Sequence, residues 1–274
     1  MSDESGNTGE GESEDSALSE LKNRLAPAVG GLSDVGRVRE LNEDNWFWAP
    51  LDEELVLYAV ADGMGGHDRG EVASQVAVEQ LFVAARAGLA TLTTREIPAL
   101  RDMLREAMQT ANRAVVTAGE ENDSNMGTTL TCSLVYKDSD AVVANVGDSR
   151  AYLVREGRLK PISQDHSLVA YLVQLGELTA EEARTHPSGN ILVRSIGSMP
   201  EVEVDVYHVE VQRGDRIMIC SDGLWGEISD ADIQTLMKDN PLPQDACQAL
   251  VDRANDEGGR DNTTLIVVEV GGAE

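Results

Sequence analysis

Leu55-Val56-Leu57-Tyr58-Ala59-Val60-Ala61-Asp62-Gly63 is an apolar run that closes on an aspartate and a glycine. Its β-branched and aromatic content, its length and the turn signal behind it predict a strand over Leu55 to Ala61. The same ending recurs in Asn145-Val146-Gly147-Asp148-Ser149 and in Ile219-Cys220-Ser221-Asp222-Gly223. At Arg260-Asp261-Asn262 the order is inverted, with the acid just ahead of the β-rich Thr263-Thr264-Leu265. Further strands are expected at Thr129 to Tyr136, Ala141 to Val146, Arg150 to Arg155, Glu201 to Val206, Arg216 to Cys220 and Leu265 to Val270. Tyr136-Lys137-Asp138-Ser139-Asp140 and Arg155-Glu156-Gly157-Arg158 have hairpin-loop composition, so the pairings they join are antiparallel.

Helical periodicity fills Glu71 to about Ala87 and Ile97 to about Ala118, where Val72, Val76, Leu81 and then Leu100, Leu104, Ala107, Ala111 keep to one face. Asp230 to Lys238 and Gln244 to Asn255 are two further helices, the second begun after Pro243 and stopped by Gly258-Gly259. Strands with apolar faces must cover them. The expected fold is therefore α+β: a central β-sandwich of two antiparallel sheets flanked by α-helices, in four layers α-β-β-α. Residues 1–26 are read as an acidic, disordered tail, because Glu, Asp, Ser and Gly dominate its first twenty positions and cannot repay the entropy of ordering. Leu18, Leu21 and Leu25 are the place where a short helical turn would begin. From 27 to 272 no composition break, linker or repeat interrupts the chain, which favours one domain.

The 274 residues carry a formal net charge of -27, a field that repels nucleic acid and anionic membrane surfaces. No apolar stretch approaches the roughly 20 residues of a membrane span. No basic-then-apolar secretion signal opens the chain, so a cytoplasmic location is expected. Cys132, Cys220 and Cys247 are widely spaced and flanked by apolar residues, which suits buried thiols better than disulfides or a zinc cluster.

Any one Asp-Gly is explained by a simple turn. Four strand-end aspartates together suggest a shared site. Two carboxylates about 4 Å apart repel by about 4 kcal/mol at a surface-like dielectric, so convergence of Asp62, Asp148, Asp222 and Asp261 calls for cations. An all-oxygen donor set suits magnesium or manganese and not zinc. Gly63 and Gly223 would let backbone approach an ion, and the Gly63 carbonyl is itself a candidate ligand. Two ions sharing a carboxylate would acidify a bridging water for in-line attack on phosphorus. Arg39, shortly before Glu43 and Asp44, has the fork to grip phosphate oxygens, with Asp44 and Glu43 available to a second ion.

Seven segments in order resemble the motifs of the metal-dependent protein phosphatase family, type 2C, in its bacterial form. They are Arg39 to Asp44, Ala61 to His67, Met126 to Thr129, Val146 to Ala151, Gln164 to Ser167, Cys220 to Trp225 and Gly259 to Thr264. The resemblance runs from about Val29 to Val270. It implies two Mn or Mg ions and hydrolysis of phosphoserine and phosphothreonine in proteins, in opposition to serine/threonine kinases, by a monomeric enzyme. By position it implies that Asp62 bridges both ions, Asp222 and Asp261 complete the first site, Asp44 and the Gly63 carbonyl serve the second, and Asp148 helps hold a weaker third. It implies a phosphate-binding role for Arg39 and a flap at about 168–190. Animal members carry a histidine directly after the first Asp-Gly, where this chain has Met64. That departure leaves His67, or water, as the candidate donor of the leaving-group proton. His166 is read as a loop-fixing residue.

Two other readings compete. A pseudophosphatase would keep the fold and bind phosphoproteins without cleaving them. An esterase of the Gly-Asp-Ser-Leu type would use Ser149 with Asp205 and His208, but Arg150 breaks that motif and Asp205 to His208 falls in a strand pattern. Chelation separates the enzymes: EDTA is expected to abolish turnover and a serine-directed reagent to leave it unchanged, the reverse result favouring the esterase.

Overall fold

The computed structural model describes residues 9–65 and 69–272. Helix α1 (Gly9–Leu25) leads to strands β1 (Val29–Asp34), β2 (Asp44–Pro50) and β3 (Leu55–Met64). Helices α2 (Gly70–Thr91) and α3 (Ile97–Glu121) follow, then β4 (Gly127–Thr128), β5 (Leu130–Tyr136), β6 (Asp140–Val146), β7 (Arg150–Arg155) and β8 (Arg158–Pro161). Short helices α4 (Leu168–Gln174) and α5 (Ala180–Arg184) precede β9 (Asp205–Glu210) and β10 (Arg216–Cys220). The chain ends with α6 (Asp222–Trp225), α7 (Asp230–Asp239), α8 (Pro243–Glu257) and β11 (Thr263–Glu269).

One sheet has the order β1-β11-β10-β7-β8 and the other β2-β3-β5-β6-β9, with β4 paired to β3; every pairing is antiparallel. Strand alternation then creates three apolar layers. Ile217, Ile219, Ile266 and Val268 meet Tyr58, Val60 and Val143 between the sheets. Their neighbours Met218, Cys220, Leu265 and Val267 face outward against Ile233, Met237, Cys247 and Leu250 of α7 and α8. On the other side Leu57, Ala59, Leu130, Cys132 and Leu134 pack under Ala77 and Leu81 of α2 and Leu100, Leu104 and Met108 of α3. These are the four expected layers.

Both expected hairpins form. Lys137 and Asp138 take φ of 51° and 55°, and Glu156 and Gly157 take 52° and 72°, the left-handed values that match turn twist to strand twist.

Two expectations are corrected, and one strand was not foreseen. Residues 9–25 form a helix where a disordered tail was expected; its last turns dock, with Leu21 buried and the Lys22 ammonium 5.6 Å and 5.0 Å from the ring centres of Phe47 and Trp48. Residues 1–8 lie outside the described residues. The strand expected at Glu201 to Val206 begins instead at Asp205, because alternation continues to Val211 and only pairing with β6, Asn145 opposite Asp205 and Asp140 opposite Glu210, sets its ends. Strand β1 carried no apolar signal, since Gly31 must be bare: a Cβ there would stand 2.3 Å from the Trp46 ring.

Leu104→Ala, at a position with no exposed surface, is expected to cost about 2–5 kcal/mol in urea unfolding. Val83→Ala, at a position 56% exposed on α2, should stay within about 0.5 kcal/mol.

Candidate metal centre and active site

Antiparallel pairing gathers the acidic strand ends at one edge of the sandwich. Asp44, first in β2, is the direct cross-strand partner of Asp62 near the end of β3. In the other sheet Cys220, last in β10, pairs with Leu265 and with Arg150, so Asp222, Asp261 and Asp148 all leave the sheet at that same edge. Ser221 ties the sheets together: its Oγ donates to Asp44 Oδ2 at 2.8 Å and accepts from the Thr264 amide at 3.0 Å.

Each carboxylate sits on a fixed backbone. The Asp62 amide donates to Thr129 Oγ1 (2.9 Å), while its carbonyl accepts from the Thr129 amide (2.8 Å) and Thr128 Oγ1 (2.8 Å). Gly63 is pressed between chains, for an added Cβ would lie 2.2 Å from the Gly70 carbonyl oxygen and 2.4 Å from that of Glu43. Asp148 follows Gly147, whose φ of 111° excludes most side chains. The loop is clasped by His166, whose Nδ1 accepts from the Gly147 amide (3.2 Å) and whose own amide donates to the Gly147 carbonyl (2.9 Å). Trp225 Nε1 donates to the Asp148 carbonyl at 3.1 Å, and the Arg150 guanidinium lies 3.6 Å from the Trp225 ring centre.

Electrostatically the site is under strain. Asp44 and Asp148 are buried, and desolvation, followed for Asp148 by the Asp222 charge, pushes each up to about 8. Hydrogen bonds from Ser221 and Thr264 partly oppose the shift at Asp44. Desolvation and the Asp261 charge raise Asp222 to about 6 although its side chain accepts a hydrogen bond shared with Asp62. Asp62 is raised well above the usual range by desolvation and then by Asp44, Asp222, Asp148 and Asp261 together. Among the described residues, no group of three or more His, Cys, Asp or Glu side chains stands ready to hold a metal ion. The acids nevertheless stay near enough for each to feel the others' charge. All-oxygen, acid-rich and desolvated, the donor set fits hard divalent ions.

The remaining candidates are placed as follows. Arg39 Nη2 donates to Asp261 Oδ2 at 2.7 Å, on an exposed loop beside the carboxylates. Glu43 uses Oε1 to accept from the Gly70 amide (3.1 Å) at the start of α2. Met64 faces Gly127 across β3 and β4. His67 lies outside the described residues. The esterase set is scattered: Ser149 is buried against Thr129 (2.7 Å), His208 pairs with Asp140 (2.7 Å), and Asp205 joins His166 and Arg194. Sequence reasoning missed Asn262, whose Nδ2 donates to the Val35 and Leu41 carbonyls and whose Oδ1 accepts from the Glu43 amide, stapling the Arg39 loop to β11. Its place inside the Arg260-Asp261-Asn262 motif was the available signal.

The family described as Protein phosphatase 2C matches residues 36–262, and the chain belongs to that family. A relative from Listeria welshimeri, "Serine/threonine phosphatase stp", is 40% identical over 239 residues, covering 86% of this chain and 93% of its own. The crystal structure of the PPM Ser-Thr phosphatase MsPP from Mycobacterium smegmatis, in complex with cacodylate, is 38% identical with a TM-score of 0.76, over 89% of this chain and 98% of that one. The catalytic domain of the serine threonine protein phosphatase PstP, in complex with 2 manganese ions, is 35% identical with a TM-score of 0.73, over 88% and 96%.

Raised carboxylates hold protons in the folded chain that the unfolded chain releases above about pH 4. Their stabilising contribution is therefore complete below about pH 4 and is lost as pH rises through about 6 to 8. Thermal melts in EDTA should show the midpoint falling over that window, and millimolar manganese should remove most of the fall; a flat profile in EDTA would contradict the crowding.

Proposed function

We propose that the chain hydrolyses phosphoserine and phosphothreonine in proteins with the help of two Mn or Mg ions, opposing one or more serine/threonine kinases. It is a protein-serine/threonine phosphatase by family. The observation that carries the two-ion reading is the convergence of Asp44, Asp62, Asp148, Asp222 and Asp261 from both sheets, where burial and mutual charge raise the first four of these carboxyls. Asp62 is assigned to both ions, Asp222 and Asp261 to the first, Asp44 and the Gly63 carbonyl to the second, and Asp148 to a weaker third. When bound, the ions supply positive charge against the phosphate and a water acidic enough to attack it at neutral pH.

The protein's own groups do the rest. Thr128 and Thr129 fix the Asp62 backbone, and Ser221 orients Asp44, so the carboxylates are aimed before substrate arrives. Arg39 swings on an exposed loop, and its fork suits two phosphate oxygens better than the single Asp261 oxygen it now meets. His67 is assigned the leaving-group proton, because Met64 has none to give. Residues 27–272 are assigned as the catalytic domain, acting as a cytoplasmic monomer, and 168–190 as a flap beside the metals. Two facts support the flap: α4 and α5 lie in it, and Arg184 reaches back to the Trp225 and Ile228 carbonyls at 3.3 Å. Among the described residues no helix is long and apolar enough to cross a membrane.

The central test is turnover of a phosphothreonine peptide with manganese, with magnesium and with EDTA. Asp62→Asn and Asp222→Asn should each abolish metal-dependent turnover with the circular dichroism spectrum retained; wild-type rates in either would refute the assignment. Arg39→Ala should raise KM or lower kcat/KM about 10- to 100-fold, on the scale of a lost charge-assisted contact, and unchanged kinetics would remove its role.

A further inference from the structure

A cleft of about 600 Å³ opens between the C-terminal end of α3 and the loop 197–200. Glu120, Asp123, Met126, Ser198, Met199 and Pro200 are among its walls. It adjoins the carboxylates through a single strand. Met126 precedes Gly127, the cross-strand partner of Met64, and the next residue, Thr128, donates to the Asp62 carbonyl at 2.8 Å. A Cβ added at Gly127 would lie 3.0 Å from the Ile196 carbonyl oxygen, 3.6 Å from Met64 Cγ and 3.7 Å from Ser198 Oγ, so the loop that walls the cleft packs closely against this strand beside Met64. Two residues of strand and one step across the ladder put the cleft about 7–12 Å from Asp62. An extended peptide advances about 3.3–3.6 Å per residue, so it would reach the cleft about two to four residues from a phosphoresidue at the carboxylates.

The chemistry of the walls selects the occupant. Glu120 and Asp123 are exposed, and neither forms an ion pair among the described residues. They stand at the negative end of the 25-residue helix α3, whose last turn carries no basic residue. Arg69 Nη1 donates to the Asn122 carbonyl at 2.8 Å, so this neighbouring cation is held on a neutral backbone group and is not paired with either carboxylate. Met199, 63% exposed, adds apolar surface, which suits the aliphatic stem of a long basic side chain.

We propose that this cleft is a subsite for an arginine or lysine side chain of the phosphoprotein substrate, held by Glu120 and Asp123 beside the reacting phosphate. The inference rests on the phosphatase reading and specifies which phosphosites that activity prefers.

The test compares three substrates with manganese: a phosphothreonine peptide bearing arginines two to four residues to either side, the same peptide with alanines there, and p-nitrophenyl phosphate. The wild type should favour the arginine peptide by about three- to tenfold in kcat/KM, on the scale of two exposed ion pairs, and less at high salt. Glu120→Gln with Asp123→Asn should erase that preference and leave p-nitrophenyl phosphate turnover unchanged. Asparagine tolerates the left-handed backbone at Asp123, where φ is 48°, so the double variant should fold. Glu120→Lys should shift the preference toward acidic flanks. The double variant removes two charges from a net charge of -27, too few to alter the overall field, so a lost preference locates the effect in the cleft. Equal wild-type turnover of both peptides, or a preference that survives the double substitution, would overturn the subsite and leave the phosphatase reading standing. Absence of turnover of all three substrates would overturn the reading beneath it.

Discussion

Repulsion among carboxylates forced onto one edge of the sandwich is the constraint that the rest of the structure answers. Pairing Asp44 directly opposite Asp62 is costly for a sheet, since like charges across a ladder destabilise it. The surroundings supply the compensation. Three apolar layers, two of them sealed by helix pairs, hold the strand ends where they are, and a shell of hydroxyl and amide groups meets the backbone around each acid. Proton uptake by the carboxylates relieves the remaining charge when no cation is present.

The architecture was legible because most of its strands bury both faces. Arg150 to Arg155 and Arg216 to Cys220 were bounded correctly from composition alone, since a strand buried between a sheet and a helix layer is apolar along its whole length. What escaped were elements whose identity depends on a partner. Strand β1 contains Gly30 and Gly31, bare because α8 and the Trp46 ring press against them, and its pattern is invisible without those neighbours. The alternating stretch 201–211 has no internal cue for where pairing starts, and β6 supplies it. Helix α1 looked like solvated tail because, among its described side chains, Leu21 alone is buried, with the Lys22 ammonium against the Phe47 and Trp48 rings.

The site divides in the same way. The aspartates were legible as repeated strand endings, a pattern that needs only local reading. Ser221, Asn262 and the Thr128–Thr129 pair were not, because a hydroxyl or amide that fixes a group 43 to 221 residues away has no periodicity of its own. Ser221 reaches Asp44 across 177 positions, and Asn262 reaches Leu41 across 221. Such residues were visible only as companions of the acids inside short motifs.

Rigidity and adaptability are distributed by depth. Asp62 is anchored through its backbone to Thr128 and Thr129, Asp44 through its carboxylate to Ser221, and the Gly147 turn before Asp148 through His166, which suits carboxylates whose geometry must not follow each substrate. Around them, much of the segment 168–190 and the acidic wall of the cleft beside α3 are exposed. A phosphate group is the same on every phosphoprotein, whereas the chain around it is not. Under the proposed reading, an inner set fixed by the sandwich would answer to phosphorus, and an outer set carried on loops would be free to answer to sequence.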